Sequence, residues 1–189
     1  MMEGEPASWK IRQDREDMIR VIGAIFVLGS SSIFGFLKGQ QLQERMDALR
    51  EIQKMFLAIS NDIHFGQISL PESLERISGQ VRDPFSRMLK NVCGEMRWRG
   101  GKTMARIWAD ETEQCLKKSA LKQKDRDGLA QMGQYLGSLD RKTQEQMIRL
   151  YLNDLEAGIG EIAESIQGQQ KLYRMFGVTG GLLIILLLL

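Results

Sequence analysis

Histidine is nearly absent from this chain of 189 residues: His64 is the only one, and no second His, Cys or paired carboxylate stands near it at ligand spacing. That makes it a surface or core residue rather than a metal ligand or general base. Cysteine is scarce too, with Cys93 and Cys115 in no C-x-x-C pattern and each set among ordinary apolar residues. They read as small buried hydrophobes, with no disulfide or metal role. No run alternates apolar and polar residues at two-residue steps, which excludes a half-buried strand. Nor is there a large excess of one charge, since 26 Lys and Arg face 24 Asp and Glu for a net charge of +2. This balance and length suit one domain and are too small for two large ones.

The short basic stretch RWRGGK, Arg97 to Lys102, contains Trp98 and could suggest nucleic acid, but acidic residues surround it and it reads as a solvated loop. Gly100-Gly101-Lys102 is no P-loop, because the full glycine spacing in a strand-to-helix context is not there. Asp110 with Glu111, and Asp125 with Asp127, read as wet helix faces. With no constellation that could run a reaction, the chain is expected to be no enzyme and to need no cofactor and no metal.

What the chain does have is grease at both ends. From Val21 to Leu37 there is no charged residue, between Arg20 and Lys38. As a helix this stretch spans about 26 Å, just short of the roughly 30 Å hydrocarbon layer. It reads as a transmembrane helix over 18–38. A cleaved signal peptide competes, although Ser30, Ser31 and Ser32 fall mid-run and no A-x-A-like site follows. The other end finishes on eight consecutive Leu and Ile residues, Leu182 to Leu189. On an insertion scale these contribute about −2.5 to −5 kcal/mol, and they leave no polar face for a helix half-exposed on a soluble body. A second span over 173–189 follows, with Tyr173 and Arg174 at headgroup depth; a buried soluble helix is the alternative. Lys171 and Arg174 beside this span place the middle, residues 39–172, in the cytoplasm. Residues 1–17 form a polar extension, upstream of the true start if translation begins at Met18. Small residues at helical spacing, Ser31, Gly35 and Gly39 in the first span and Gly177 and Gly181 in the second, are expected to let the spans pack together in lipid.

Between the spans, three- and four-residue steps dominate. Leu42, Met46, Leu49, Ile52, Phe56, Ile59 and Ile63 mark one helix with a single buried stripe, ended by Gly66. Ser69 with Glu72 has capping-box spacing, Pro71 fits a first turn and Gly79 a stop, so a short helix runs from Leu70 to Ser78. Asp83-Pro84 starts a third, striped by Phe85, Met88, Leu89, Val92 and Met96. Ile107, Trp108, Cys115 and Leu116 face inward on a fourth. A fifth from about Lys122 buries Leu129, Met132 and Leu136. The last is the longest, capped by Asp140, with the near-heptad seam Ile148, Leu152, Leu155, Ile159, Ile162 and Ile166. The fold class is all-α: a bundle of about six helices between two transmembrane helices.

At Leu136-Gly137-Ser138-Leu139-Asp140-Arg141-Lys142-Thr143-Gln144 the pattern is L-G-x-x-D-x-x-x-Q. Together with Ala120-Leu121-Lys122-Gln123, Ile148-Arg149-Leu150, Gly23, the stretch IHFGQISLPESL from Ile63 to Leu74 and the terminal Gly-Leu-Leu run, it resembles the stage III sporulation protein AB family. The likeness runs from about Met18 to the last residue. It implies a cytoplasmic domain like that of the F-type inner-membrane platform proteins of type II secretion. It also implies membership of a channel complex across the membranes between mother cell and forespore, in the mother-cell membrane around the forespore. The implied partners are the ATPase of that complex, stage III sporulation protein AA, and other membrane subunits, with a homo-oligomer open and no nucleic acid. No catalytic residue is implied. Physically, Leu136, Gly137, Asp140 and Gln144 form a helix corner: Gly137 able to take the left-handed conformation, Asp140 a cap, and Gln144 able to bond back to the loop. A direct partner contact is the other role open to them. Two further readings remain, an exported helical protein with a cleaved signal and a tail-anchored helical scaffold.

Overall fold

The computed structural model describes residues 37, 39–65, 68–98, 101–137 and 140–188, with side chains as far as 168 and at Leu172, Met175 and Thr179. The chain divides into a unit of residues 1–40 and a unit of residues 41–189, and the second holds the helical body. Six helices and no strand occur among the described residues: α1 over 39–65, α2 Leu70–Ser78, α3 Phe85–Arg97, α4 Met104–Leu116, α5 Gln123–Leu136 and α6 Arg141–Leu188. Of the expected span 18–38 only Leu37 is among the described residues; Ser31 and Gly35 lie outside them, as does Gly66. The second expected span falls on α6, whose backbone stays helical to Leu188 through Gly177 and Gly181. Among the described residues no helix is long and apolar enough to cross a membrane.

Local chemistry sets the helix starts. At α2 the Glu72 carboxylate accepts both the Ser69 backbone N–H (3.0 Å) and the Ser69 hydroxyl (2.8 Å). Those bonds hold its carboxyl below the usual range, and the helix stops at Gly79 as the spacing predicts. The start of α3 differs by one residue. Pro84 takes the cap position, and Asp83, expected there, sits one residue too early and instead accepts from Arg87 at 3.0 Å. Thr103 caps α4 by accepting the Arg106 N–H at 3.3 Å. On α5 the N3 residue Asp125 accepts the Lys122 N–H at 2.9 Å.

The stripes read from the sequence converge on one core. Ile52, Phe56 and Ile59 of α1, Leu74 of α2, Met88, Leu89 and Val92 of α3, Trp108 and Leu116 of α4, and Leu129 of α5 are all fully buried. Along α6 the residues buried most deeply are seven apart, Ile148, Leu155 and Ile162, while Leu152, Ile159 and Ile166 flank the core half-buried. Such a heptad-like seam fits a helix packed along one side of a bundle. Edge-to-face rings tie three helices together: Phe56 of α1 lies 6.1 Å from Trp108 of α4 and 5.0 Å from Tyr151 of α6. The tightest approach is between α4 and α5. A methyl group on Gly133 would lie 2.6 Å from the Trp108 Cβ, so only glycine fits beneath the indole. That closeness lets Trp108 Nε1 donate to the Leu129 carbonyl at 2.8 Å, satisfying the one polar atom of a fully buried ring.

Candidate functional site

The sequence pattern L-G-x-x-D-x-x-x-Q folds as the corner between α5 and α6. Leu136, 2% exposed, ends α5 in the core. Gly137 has φ −85°, a right-handed conformation, so the expected left-handed role does not occur. Its absent side chain matters for space instead: a Cβ there would lie 3.0 Å from the Cβ of Met104, the first residue of α4. Asp140 caps α6, accepting the N–H groups of Lys142 (3.3 Å) and Thr143 (3.1 Å) and the Thr143 hydroxyl. The Thr143 hydroxyl and backbone bonds hold its carboxyl below the usual range. Gln144, one turn on, donates from Nε2 to the Leu136 carbonyl at 3.1 Å, so a C-terminal carbonyl of α5 is satisfied by the first turn of α6. The arrangement clamps a helix corner.

Around this corner lies the end of α1. Leu136 and Gln144 line a hollow of about 140 Å³ with Ile63, Ile68, Leu70 and Arg141. At its edge Asp62 accepts from Arg76 and from the Ser73 hydroxyl, tying α1 to α2. Burial alone would raise the Asp62 pKa, but these bonds outweigh it and the carboxyl is lowered. His64 is exposed, its Nδ1 3.5 Å from the Glu145 carboxylate of α6. A larger groove of about 510 Å³ runs between α1, α5 and α6. At its wall Arg45 donates to both oxygens of Asp125, at 2.7 and 2.8 Å. Burial pushes the Asp125 pKa up, yet the Arg45 and Lys122 bonds pull it further down, so it is lowered overall. The Tyr151 hydroxyl faces no hydrogen-bond partner among the described residues, and burial drives its pKa far up.

Two carboxylates differ from their wet-face reading. The Asp125 side chain is 9% exposed because it pairs across 80 residues with Arg45. Glu111 is buried too, accepting from Asn91 Nδ2 at 2.7 Å. Asp110, by contrast, lies at the surface near Arg106 (3.0 Å). The Arg45 partner of Asp125 and the Asn91 partner of Glu111 come from other helices, which spacing along one helix does not reveal. Of the basic stretch, Trp98 is exposed, Arg97 at the end of α3 pairs with Glu75, and Lys102 lies 3.7 Å from Glu95. Cys93 is buried and Cys115 half-buried, both free, with burial raising each thiol. Among the described residues no three His, Cys, Asp or Glu side chains gather as a metal site.

These features define an all-α bundle whose polar clusters join helices to one another. A family model for stage III sporulation protein AB matches residues 20–189, and the chain belongs to that family. It is 25% identical over 172 residues to Stage III sporulation protein AB of Bacillus subtilis (strain 168), covering 91% of this chain and 100% of that one. A solved structure of Stage III sporulation protein AB has the same fold, with a TM-score of 0.60 at 22% identity over 66% of this chain and 97% of that one. Neither relative's name specifies an enzyme.

Proposed function

We propose that the chain is a non-enzymatic membrane platform of a sporulation channel complex. Its helical body stands in the mother-cell cytoplasm, anchored by spans over 18–38 and 173–189, and binds the complex's ATPase, stage III sporulation protein AA. The observation that carries this reading is the continuity of α6, one helix from Arg141 to Leu188. At 1.5 Å per residue it is about 72 Å long, more than a bundle of this size needs. Its first half packs in the core through Ile148, Leu155 and Ile162, and its last turns are the aliphatic run. A push on the body therefore passes along a stiff rod to whatever holds the tail, which is what an ATPase-driven platform requires.

Fractionation with protease access tests the topology. A platform keeps both spans and shields residues 39–172 from external protease; an exported protein loses the first span and is digested. Pull-down with the purified ATPase tests the partner. A tail-anchored scaffold would self-associate through its body without any need of the ATPase, and retention of the ATPase by the full chain is the result expected here.

A further inference from the structure

Contacts spread along α1 and α6 fix their sense. His64, near the end of α1, lies 3.5 Å from Glu145, Phe56 packs on Tyr151, and Arg45 is drawn to Glu161. The two helices are therefore antiparallel, and α6 runs on to the aliphatic tail from the end of the body at which α1 begins. The α4–α5 connection lies at this same end. Asp125, in the first turn of α5, pairs with Arg45, whereas Leu136, which closes α5, shares a hollow with Ile63. Met104, which opens α4, stands against Gly137 at the remote corner, so α4 starts there and finishes where α5 begins.

From Lys117 to Asp127 the chain carries five cations, Lys117, Lys118, Lys122, Lys124 and Arg126, against two carboxylates. Both carboxylates are engaged, Asp125 by Arg45 and Asp127 by Gln123 at 2.8 Å. Arg126 donates to the Leu121 carbonyl at 2.8 Å and lies 3.7 Å from Glu113. The four lysines are exposed. Lys122 adds to the field on Asp125, while Lys117, Lys118 and Lys124 form no ion pair among the described residues. Glu44 of α1 and Asp154 and Glu161 of α6 stand at this end too, and Asp154 and Glu161 line a groove with Lys124 beyond ion-pair distance of it. Arg45, level with the first turn of α5, is only about 9 Å of helix from residue 39. The potential of an anionic bilayer surface extends over a Debye length of about 10 Å. We infer that Lys117, Lys118, Lys122 and Lys124 form a surface that binds the headgroups of anionic phospholipids, seating the base of the body on the bilayer. The inference rests on the reading above that the aliphatic segments anchor the chain in a membrane. A nucleic acid is the poorer fit, because residues 117–127 hold no aromatic side chain to stack on a base.

The full chain in lipid nanodiscs tests it, with amine-reactive labelling of each lysine read by mass spectrometry. In phosphatidylglycerol discs labelling of the four lysines is expected to be slower than in phosphatidylcholine discs by about threefold or more, and to recover at about 1 M salt, where the Debye length falls to about 3 Å. Lys142, at the corner end, is expected to label equally in both. Backbone hydrogen exchange over 117–122 is expected to slow in phosphatidylglycerol for the wild type. It should not slow for the combined variant Lys117→Gln, Lys118→Gln, Lys122→Gln and Lys124→Gln, whose fold circular dichroism verifies. If the chain is not retained in discs of either lipid, the anchored reading falls and this inference with it. If it is retained and the four lysines label alike in both lipids, at any salt, the inference falls while the anchored reading stands. Equal protection of the detergent-solubilised chain by inorganic phosphate or by a single-stranded oligonucleotide overturns the inference in favour of a soluble phosphate or a nucleic acid.

Discussion

Replacing Gly133 by alanine is a sharp probe of how α4 and α5 pack. The new methyl would stand 2.6 Å from Trp108 Cβ, 2.8 Å from Cγ and 2.9 Å from Cδ1, each well inside van der Waals contact. The Cβ is fixed to the α4 backbone, so the indole cannot swing clear and the helices must part. Overpacking of this kind costs about 1 to 3 kcal/mol. Parting the helices also stretches the 2.8 Å bond from Trp108 Nε1 to the Leu129 carbonyl, and a buried donor left unpaired costs about 1 to 3 kcal/mol more. Against this, alanine improves helix propensity over glycine by about 1 kcal/mol. The net is a loss of about 1 to 5 kcal/mol, a fall in Tm of at least about 3 °C for a body of this size. Thermal melts of the full chain in detergent, followed by circular dichroism, read it out. Gly94→Ala on α3 is the matched control, since a Cβ there meets nothing within 4 Å and should raise Tm slightly. A Gly133→Ala protein that melts at or above the wild-type temperature would refute the packing argument.

Asp140→Asn keeps a capping side chain but removes its charge. The native carboxyl is held low by Thr143, so its contribution is present above the ordinary carboxylate pKa and is lost as pH falls through the lowered native value. The Tm gap between wild type and variant should close on acidification below about pH 4, and a gap independent of pH would count against the cap. Arg45→Met strands the Asp125 carboxylate at the groove wall and should cost about 2 to 4 kcal/mol, toward the low side for a pair at a groove edge. Adding Asp125→Leu should recover part of that loss, and strictly additive effects in a double-mutant cycle would deny the coupling. Cys93, buried with a raised thiol pKa, should react with maleimide only as the body unfolds; rapid labelling of the native protein would contradict its place in the core.

Helix positions were legible because the code for them is local. Ser69, Glu72, Pro71 and Gly79 lie within one short stretch, and the structure places α2 over Leu70–Ser78 as that spacing requires. The buried stripes of α1, α3 and α6 follow the same logic, since every third or fourth side chain shares a face whatever the helix meets. Asp140 and Gln144 also act as their spacing implies, within one corner. By contrast, the role of Gly137 was misread because its glycine answers to Met104, more than thirty residues earlier, rather than to its own backbone angle.

The sequence by itself determined six helices, the caps of α2 and α6, the apolar faces and the aliphatic tail, because each depends on residues within a turn or two of one another. Only the tertiary structure decided which carboxylates are buried, why Gly133 lies under Trp108, and that the stretches around Ile68 and Leu136 meet at one end of the body. Those facts arise when distant helices pack: the energy of a pair such as Arg45 and Asp125 depends on a distance across space, which no periodicity along the chain encodes.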